Sequence, residues 1–460
     1  MTAPATAPVA LDRELLAWIE QTAGGRVTRA DRVPGGGRHE AWLVDVLADR
    51  GQLDLFLRYD RADPAETGEV HTLHREAQFY LALEGTAVPV PRILGVHPVA
   101  QAVLSTRVPG DTWFSHLRDE RARLSVARDF MRHLAALHAV DPHRLRLPDQ
   151  DPDAGLRELV GREIDVWEGL YRTGDHVREP LVEFGLAWLR RNLPDADEPP
   201  VLVQGDTGPG NFLYRDGAVT AVLDWELAHL GDPHDDLGWL ALRAVQEPFT
   251  DLADRFADYA SAASREVDWA RVRYYRVFAE LRVVVLGNRR RSAEDLLGEV
   301  GNGLIYSALH RRLLVEALAD VTGTVLEEPP SLDAAPTERS WLYDAALAQL
   351  REVIVPRSTD PFVVLRGKGL ARLLKYLQQA DRLAGDDEAA ELADLTDLLG
   401  TLPASVAEGR ALLGDLVRSG GGPDDAVLLR AFGRRVVRET QLLRPAMGVL
   451  ADRHFDPLPS

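Results

Sequence analysis

The stretch VLVQGDTGPGNFLYRDGAVTAVLDWE, residues 201–226, decides how the chain is to be read. Two short apolar runs flank Asp216-Gly217, a dipeptide suited to the positive φ angles of a tight hairpin turn. Ahead of the hairpin, a glycine-rich loop runs from Gln204 to Asn211 behind the apolar run Val201–Val203. Glycines 205, 208 and 210 permit the backbone angles that a short loop between two strands requires. Asp206 and Asn211 sit near the two ends of this loop, Asp224 terminates the next apolar run, and Glu226 follows two residues later. This island of strand signal lies among segments with helical periodicity, which predicts an α+β protein.

Working outward, RVTRADRV, HEAWLVDVL and QLDLFLRY predict three antiparallel strands between Arg26 and Tyr59, joined through PGGGR and ADRG. The helical pattern EVHTLHREAQFYLALEG follows, and PVPRILGV and QAVLSTRV then extend the sheet to five strands. After Pro109-Gly110 the pattern is helical. The expected organisation is an N-terminal extension and helix at 1–24, a small β-rich lobe at 25–110 and a larger helical lobe at 111–323. Residues 324–338, rich in proline and acids, have linker composition, and 339–460 read as an all-α accessory domain. In that domain KGLARLLKYLQQADRLAG and DEAAELADLTDLLGTL are expected to be separate helices.

Composition narrows the function. The formal net charge of -19, from 72 acidic against 53 basic side chains, repels a phosphate backbone, so no nucleic-acid partner is expected. With no cysteine in the chain, disulfides, thiolate metal sites and cysteine nucleophiles are excluded. The opening MTAPATAPVA lacks the basic and apolar regions of a leader, and no apolar run reaches membrane-spanning length; no membrane partner and a cytoplasmic location are expected. Ser105 and Ser125 lack a Gly-x-Ser-x-Gly context, which leaves a hydrolase triad without local support.

Phosphoryl transfer needs a carboxylate beside the acceptor hydroxyl, an Asn and an acid to hold Mg²⁺, and cationic groups to spread phosphate charge. Asp206 and Asn211 have the interval found between the base and the metal-binding Asn of protein-kinase catalytic loops. Asp224 can offer oxygen ligands to a hard cation, with Glu226 as a second ligand or a group just outside the ligand shell. Together, QGDTGPGNFLY and AVLDWELAHLGDPHDDLGWL resemble the catalytic and metal-binding segments of aminoglycoside phosphotransferase-like kinases. The resembling branch includes kinase domains fused to some acyl-CoA dehydrogenases.

The resemblance implies a two-lobed protein-kinase-like fold that uses ATP or GTP with Mg²⁺ to phosphorylate a hydroxyl of a small molecule. A hydroxyacyl-CoA or similar metabolite is the implied acceptor, with aminoglycosides, macrolides, choline or homoserine as the alternatives that the wider family implies. By the same resemblance Asp206 is the catalytic base, and Asn211, Asp224 and Glu226 bind metal. Gly35, Gly36 and Gly37 of PGGGRHEAW form the nucleotide-covering loop, Arg58 stands where the family carries a phosphate-contacting Lys, and Glu76 pairs with it. Gln204 replaces the family's usual His before Gly-Asp. The competing reading is a non-catalytic nucleotide- or partner-binding module, for which Arg58 and Gln204 are the arguments. Asp232, Asp235 and Asp236 are expected to cap a turn and helix start, and His138 to pack. For the helical bundle, a homodimer interface and a cover over the acceptor pocket both stay open.

Overall fold

Strands β1 (Gly25–Val33), β2 (Glu40–Ala48), β3 (Gly51–Asp60), β4 (Ile93–Val96) and β5 (Gln101–Thr106) form one antiparallel sheet in the order β1-β2-β3-β5-β4. The computed structural model describes residues 11–33, 39–61, 70–145, 147, 150–173, 176–288, 296, 298–330 and 334–459. Strict alternation on β2 turns Trp42, Val44 and Val46 to one face. There they join Leu55, Leu57, Ala102 and Leu104 in a core closed by Leu11, Leu15 and Ile19 of helix α1 (Arg13–Ala23). Helix α2 (Leu73–Leu83), started by the Thr72 hydroxyl accepting from Arg75 N–H at 3.1 Å, packs Leu73 and Ala77 near Val103 of β5.

The five-stranded sheet with one helix expected from the sequence is therefore present, with mostly helical structure after it. Helix α3 (Glu120–His138) lies against β6 (Val201–Val203) and β8 (Ala218–Val222). β8 pairs with β7 (Phe212–Arg215) in the predicted hairpin, whose central residues Asp216 and Gly217 have φ of 52° and 80°. The three-residue strand β9 (His229–Gly231), absent from the sequence reading, pairs with β6.

Two compact units make up the chain. One holds residues up to Ala154 together with Pro199–Asp236 and Glu247–Val267. It contains the sheets described above and the helix at Leu252–Ala263. The other holds Gly155–Glu198, Leu237–Gln246 and Asp268–Ser460. Within it, α4 (Leu156–Thr173) packs on α5 (Pro180–Arg191) and on the helix Trp269–Gly287, α5 also meets the helix Val300–Thr322, and both α5 and Val300–Thr322 pack against helices beyond residue 339. Contacts thus group helices on both sides of the 324–338 segment in one unit.

The two helices expected on either side of Gly385 are instead one continuous helix, Pro361–Leu399, that ends at Gly400. A glycine inside a helix weakens it by about 1 kcal/mol and does not by itself terminate it. Among the described residues, no helix is long and apolar enough to cross a membrane.

Candidate active site

Two backbone segments of the first unit carry the predicted site residues. The first, Gln204–Asn211, leaves β6 and is pinned from beneath by Asp236, which is fully buried. Its carboxylate accepts from Gln204 N–H at 3.0 Å, from Gly205 N–H at 2.9 Å and from the Thr207 hydroxyl. His138 Nε2 lies 2.9 Å from the same carboxylate, and its Nδ1 is 2.7 Å from the Tyr259 hydroxyl. At the loop's far end the Asn211 side-chain amide donates to both the carbonyl and the carboxylate of Asp206, each at 2.7 Å. Asp206 and Asn211 are thereby brought together as the spacing predicts.

Gly205 has φ of 83°, and a Cβ there would lie 2.4 Å from the Leu227 carbonyl oxygen. Left-handed strain and a backbone clash coincide at this residue. Gly205→Ala is expected to destabilise the protein by about 2 kcal/mol or more, read as a lower urea midpoint.

The second segment, Leu223–Glu226, runs beside the first. Gln204 joins them: its Nε2 donates to the carbonyls of Leu223 (2.9 Å) and Asp224 (2.7 Å), while its Oε1 accepts from Asp206 N–H (2.9 Å) and lies 3.0 Å from the Thr207 oxygen, whose proton goes to Asp236. Every hydrogen-bonding atom of this buried amide is used, with donor and acceptor ends on different segments. Leu223 N–H donates to the Asn211 carbonyl at 2.8 Å as a further tie.

Arg58, at the end of β3, meets Glu76 of α2 at 2.5 Å, Asp224 at 3.4 Å and Glu226 at 3.9 Å. Burial works against the Arg58 charge, but these carboxylates outweigh it and raise its pKa. Burial likewise raises the carboxyl of Glu76, opposed by Arg58. Burial moves Asp224 from 3.8 to about 7, opposed by Arg58 and assisted by Glu226, Glu76 and Asp206. One guanidinium shared among three carboxylates leaves this cluster short of positive charge.

A carboxyl raised in the folded protein holds its proton more tightly than in the unfolded chain. Its contribution is present below its ordinary value and is lost as pH rises through about 7. In the absence of divalent cations, Asp224→Asn is therefore expected to raise the melting temperature at pH 8 by about 1–2 °C. At pH 4 the substitution is expected to change it little; calorimetry at both values checks the sign.

The remaining predicted residues fall as follows. Gly35, Gly36 and Gly37 lie outside the described residues. His39, just after them, is buried between Asp60 (3.2 Å) and Glu226 (3.5 Å). Asp232 accepts from His234 N–H at 2.9 Å beside the start of the helix Pro233–Gln246, as a cap does. Asp236, expected with it in a capping role, instead serves the Gln204–Asn211 loop. That role, and those of Arg75 and Tyr80 on α2, left no signal in the sequence because their partners are distant in it. Arg75 donates to the carbonyls of Glu226 (2.8 Å) and Ala228 (2.6 Å), and the Tyr80 hydroxyl accepts from Asp224 N–H at 3.1 Å.

Among the described residues, no group of three His, Cys, Asp or Glu side chains could hold a metal unaided. The donor set nevertheless suits a cation that arrives with its own phosphate ligands, since Mg²⁺ takes one or two carboxylates alongside substrate oxygens. With its nitrogen engaged by Asp206, Asn211 keeps its carbonyl oxygen for such a cation.

The phosphotransferase enzyme family model matches residues 30–275, the segment that contains all of these side chains. Acyl-CoA dehydrogenase family member 11 of Rattus norvegicus is 31% identical over 186 residues, covering 38% of this chain and 23% of that protein. Family member 10 of Mus musculus is 30% identical over 209 residues, covering 43% of this chain and 18% of that protein. The chain thus spans less than a quarter of the length of these curated relatives. Among solved structures, a thermostable mutant of aminoglycoside phosphotransferase APH(4)-Ia, in ternary complex with ADP and hygromycin B, is 17% identical, with 67% of this chain and 98% of that one covered and a TM-score of 0.47. Macrolide 2'-phosphotransferase MphH from Brachybacterium faecium is 20% identical, with 70% and 99% covered and a TM-score of 0.44.

Proposed function

Because the chain belongs to the phosphotransferase enzyme family, we propose that it transfers the γ-phosphoryl group of ATP or GTP to a hydroxyl of a small metabolite. The observation that carries the proposal is the cluster of Arg58 with Glu76 and Asp224, tied through Gln204 to the loop bearing Asp206 and Asn211. A cation, a ring of carboxylates and a positioned Asp–Asn pair are the parts that phosphoryl transfer uses.

In this reading Asp206 orients the acceptor hydroxyl and takes its proton, while the hydrogen bond from Asn211 fixes the carboxylate's direction. Arg58 presents its guanidinium to the phosphates, held in place by Glu76. Asn211, Asp224 and Glu226 would hold Mg²⁺, which would neutralise phosphate charge when bound with the nucleotide. Nucleotide binding is also assigned to Gly35, Gly36 and Gly37, by the resemblance of PGGGRHEAW to the family's glycine-rich loop alone. Because the transition state resembles metaphosphate, positioning and charge neutralisation contribute more than proton abstraction.

A hydroxyacyl-CoA or related hydroxylated metabolite is the proposed acceptor class, supported by the similarity to acyl-CoA dehydrogenase family members 11 and 10. The test is mass-spectrometric screening of acceptor pools for one added phosphate, with ATP and GTP in parallel and with and without Mg²⁺. If no acceptor gains phosphate and nucleotide binds equally well without metal, the chain is a non-catalytic binding module instead.

A further inference from the structure

The backbone after Asp224 hangs from a single helix. On α2, Arg75 holds the carbonyls of Glu226 and Ala228, Glu76 Oε1 accepts from Trp225 N–H at 3.2 Å, and Tyr80 accepts from Asp224 N–H. These attachments leave Asp224 with φ of 61°, in the left-handed region. A residue with a Cβ stays there only when its surroundings over-determine it. Gln204 fixes the carbonyl of Asp224, so its amide is the other half of the constraint. The partner of that amide is one phenolic oxygen on a buried side chain whose ring stands edge-on to Trp225 at 6.3 Å.

Resting on the phosphotransfer reading above, we propose that Tyr80 is a positioning residue. Its hydroxyl fixes the left-handed backbone at Asp224 and so aims that carboxylate at Arg58 and at the cation a nucleotide brings. Loss of the oxygen releases the amide and lets φ relax toward negative values, which swings the Asp224 side chain away. Arg75 and Glu76 still hold residues 225–228, so the disturbance is confined to the one carboxylate.

Tyr80→Phe keeps the ring against Trp225 and deletes the oxygen. Two readouts on the full chain test the proposal. Hydrogen exchange of the peptide spanning 222–226 is expected to accelerate at the Asp224 amide by about ten-fold or more, because its buried acceptor is gone. In ATP-binding calorimetry, the Mg²⁺ concentration that half-saturates the metal-dependent gain in affinity is expected to rise about ten-fold, the scale on which residues behind a metal ligand act. Affinity for ATP without metal is expected to stay within two-fold of wild type, roughly the scatter expected where no contact changes. A merely structural role would lower both affinities together. Unchanged exchange at residue 224 overturns the proposal whatever the activity. Accelerated exchange with an unchanged Mg²⁺ requirement overturns its functional half. Wild-type protein that binds ATP indifferently to Mg²⁺ defeats the phosphotransfer reading instead, and the exchange experiment still reports on the role of Tyr80 at Asp224.

Discussion

Asp206→Ala is expected to lower kcat for phosphate transfer by about 10²–10⁴-fold, the range over which a positioned general base contributes. The substitution removes a partly exposed carboxylate that accepts from Asn211, and it leaves the loop's backbone N–H bonds to Gln204 Oε1 and to Asp236 in place. Thermal stability is therefore expected to change little. Initial-rate kinetics on a phosphate acceptor, with melting measured in parallel, separates the two effects. Near wild-type turnover in a folded Asp206→Ala protein would remove Asp206 from the mechanism.

Asp236→Ala is expected to damage stability and activity together. Four donors converge on this carboxylate: two backbone amides, the Thr207 hydroxyl and His138. All are buried, so its removal strands polar groups that water cannot reach, at a cost of about 3–5 kcal/mol. The loop it holds carries Asp206, so the surviving folded population is also expected to lose kcat by at least about ten-fold, as small misplacements of reacting groups do. Asp236→Asn keeps the volume and one acceptor oxygen and is expected to lose roughly half as much stability. Urea unfolding of the two variants beside wild type gives the ordering. A destabilisation by Asp236→Ala under 1 kcal/mol would contradict the bonding described here.

Much of the fold was legible because its signals are local. Asp216-Gly217 between apolar runs specified the hairpin, and both residues adopt the positive φ that the dipeptide tolerates. Alternation in HEAWLVDVL specified a strand with one buried face, and Trp42, Val44 and Val46 occupy it. Asp206, Asn211 and Asp224 were legible through spacing, and Arg58 and Glu76 only through family resemblance. Their convergence, with Arg58 bridging Glu76 and Asp224, is a tertiary fact that spacing alone does not carry.

What escaped the sequence is long-range pairing. Asp236 stands in a run of acids before a helix, where capping is the local expectation, yet its partners lie some thirty residues earlier in the chain and at His138. Tyr80 and Arg75 sit on an ordinary amphipathic helix, and nothing nearby marks them as holding residues 224–228. β9 has only three residues, too few for alternation to register. Gly385 read as a break because glycine punctuates turns, but no turn geometry is required there and the helix runs through it.

The three bonds of the Gln204 amide bear on how kindred chains are to be found. An imidazole has two ring nitrogens and cannot reproduce a carboxamide that gives two protons to one segment while its oxygen accepts a backbone N–H from the other. A search pattern that insists on histidine before Gly-Asp would discard this sequence, although the Gln204–Asn211 loop and the Leu223–Glu226 segment are joined in it. A pattern that admits glutamine before Gly-Asp keeps it, and the two backbone segments joined by this one side chain are what such a pattern would detect.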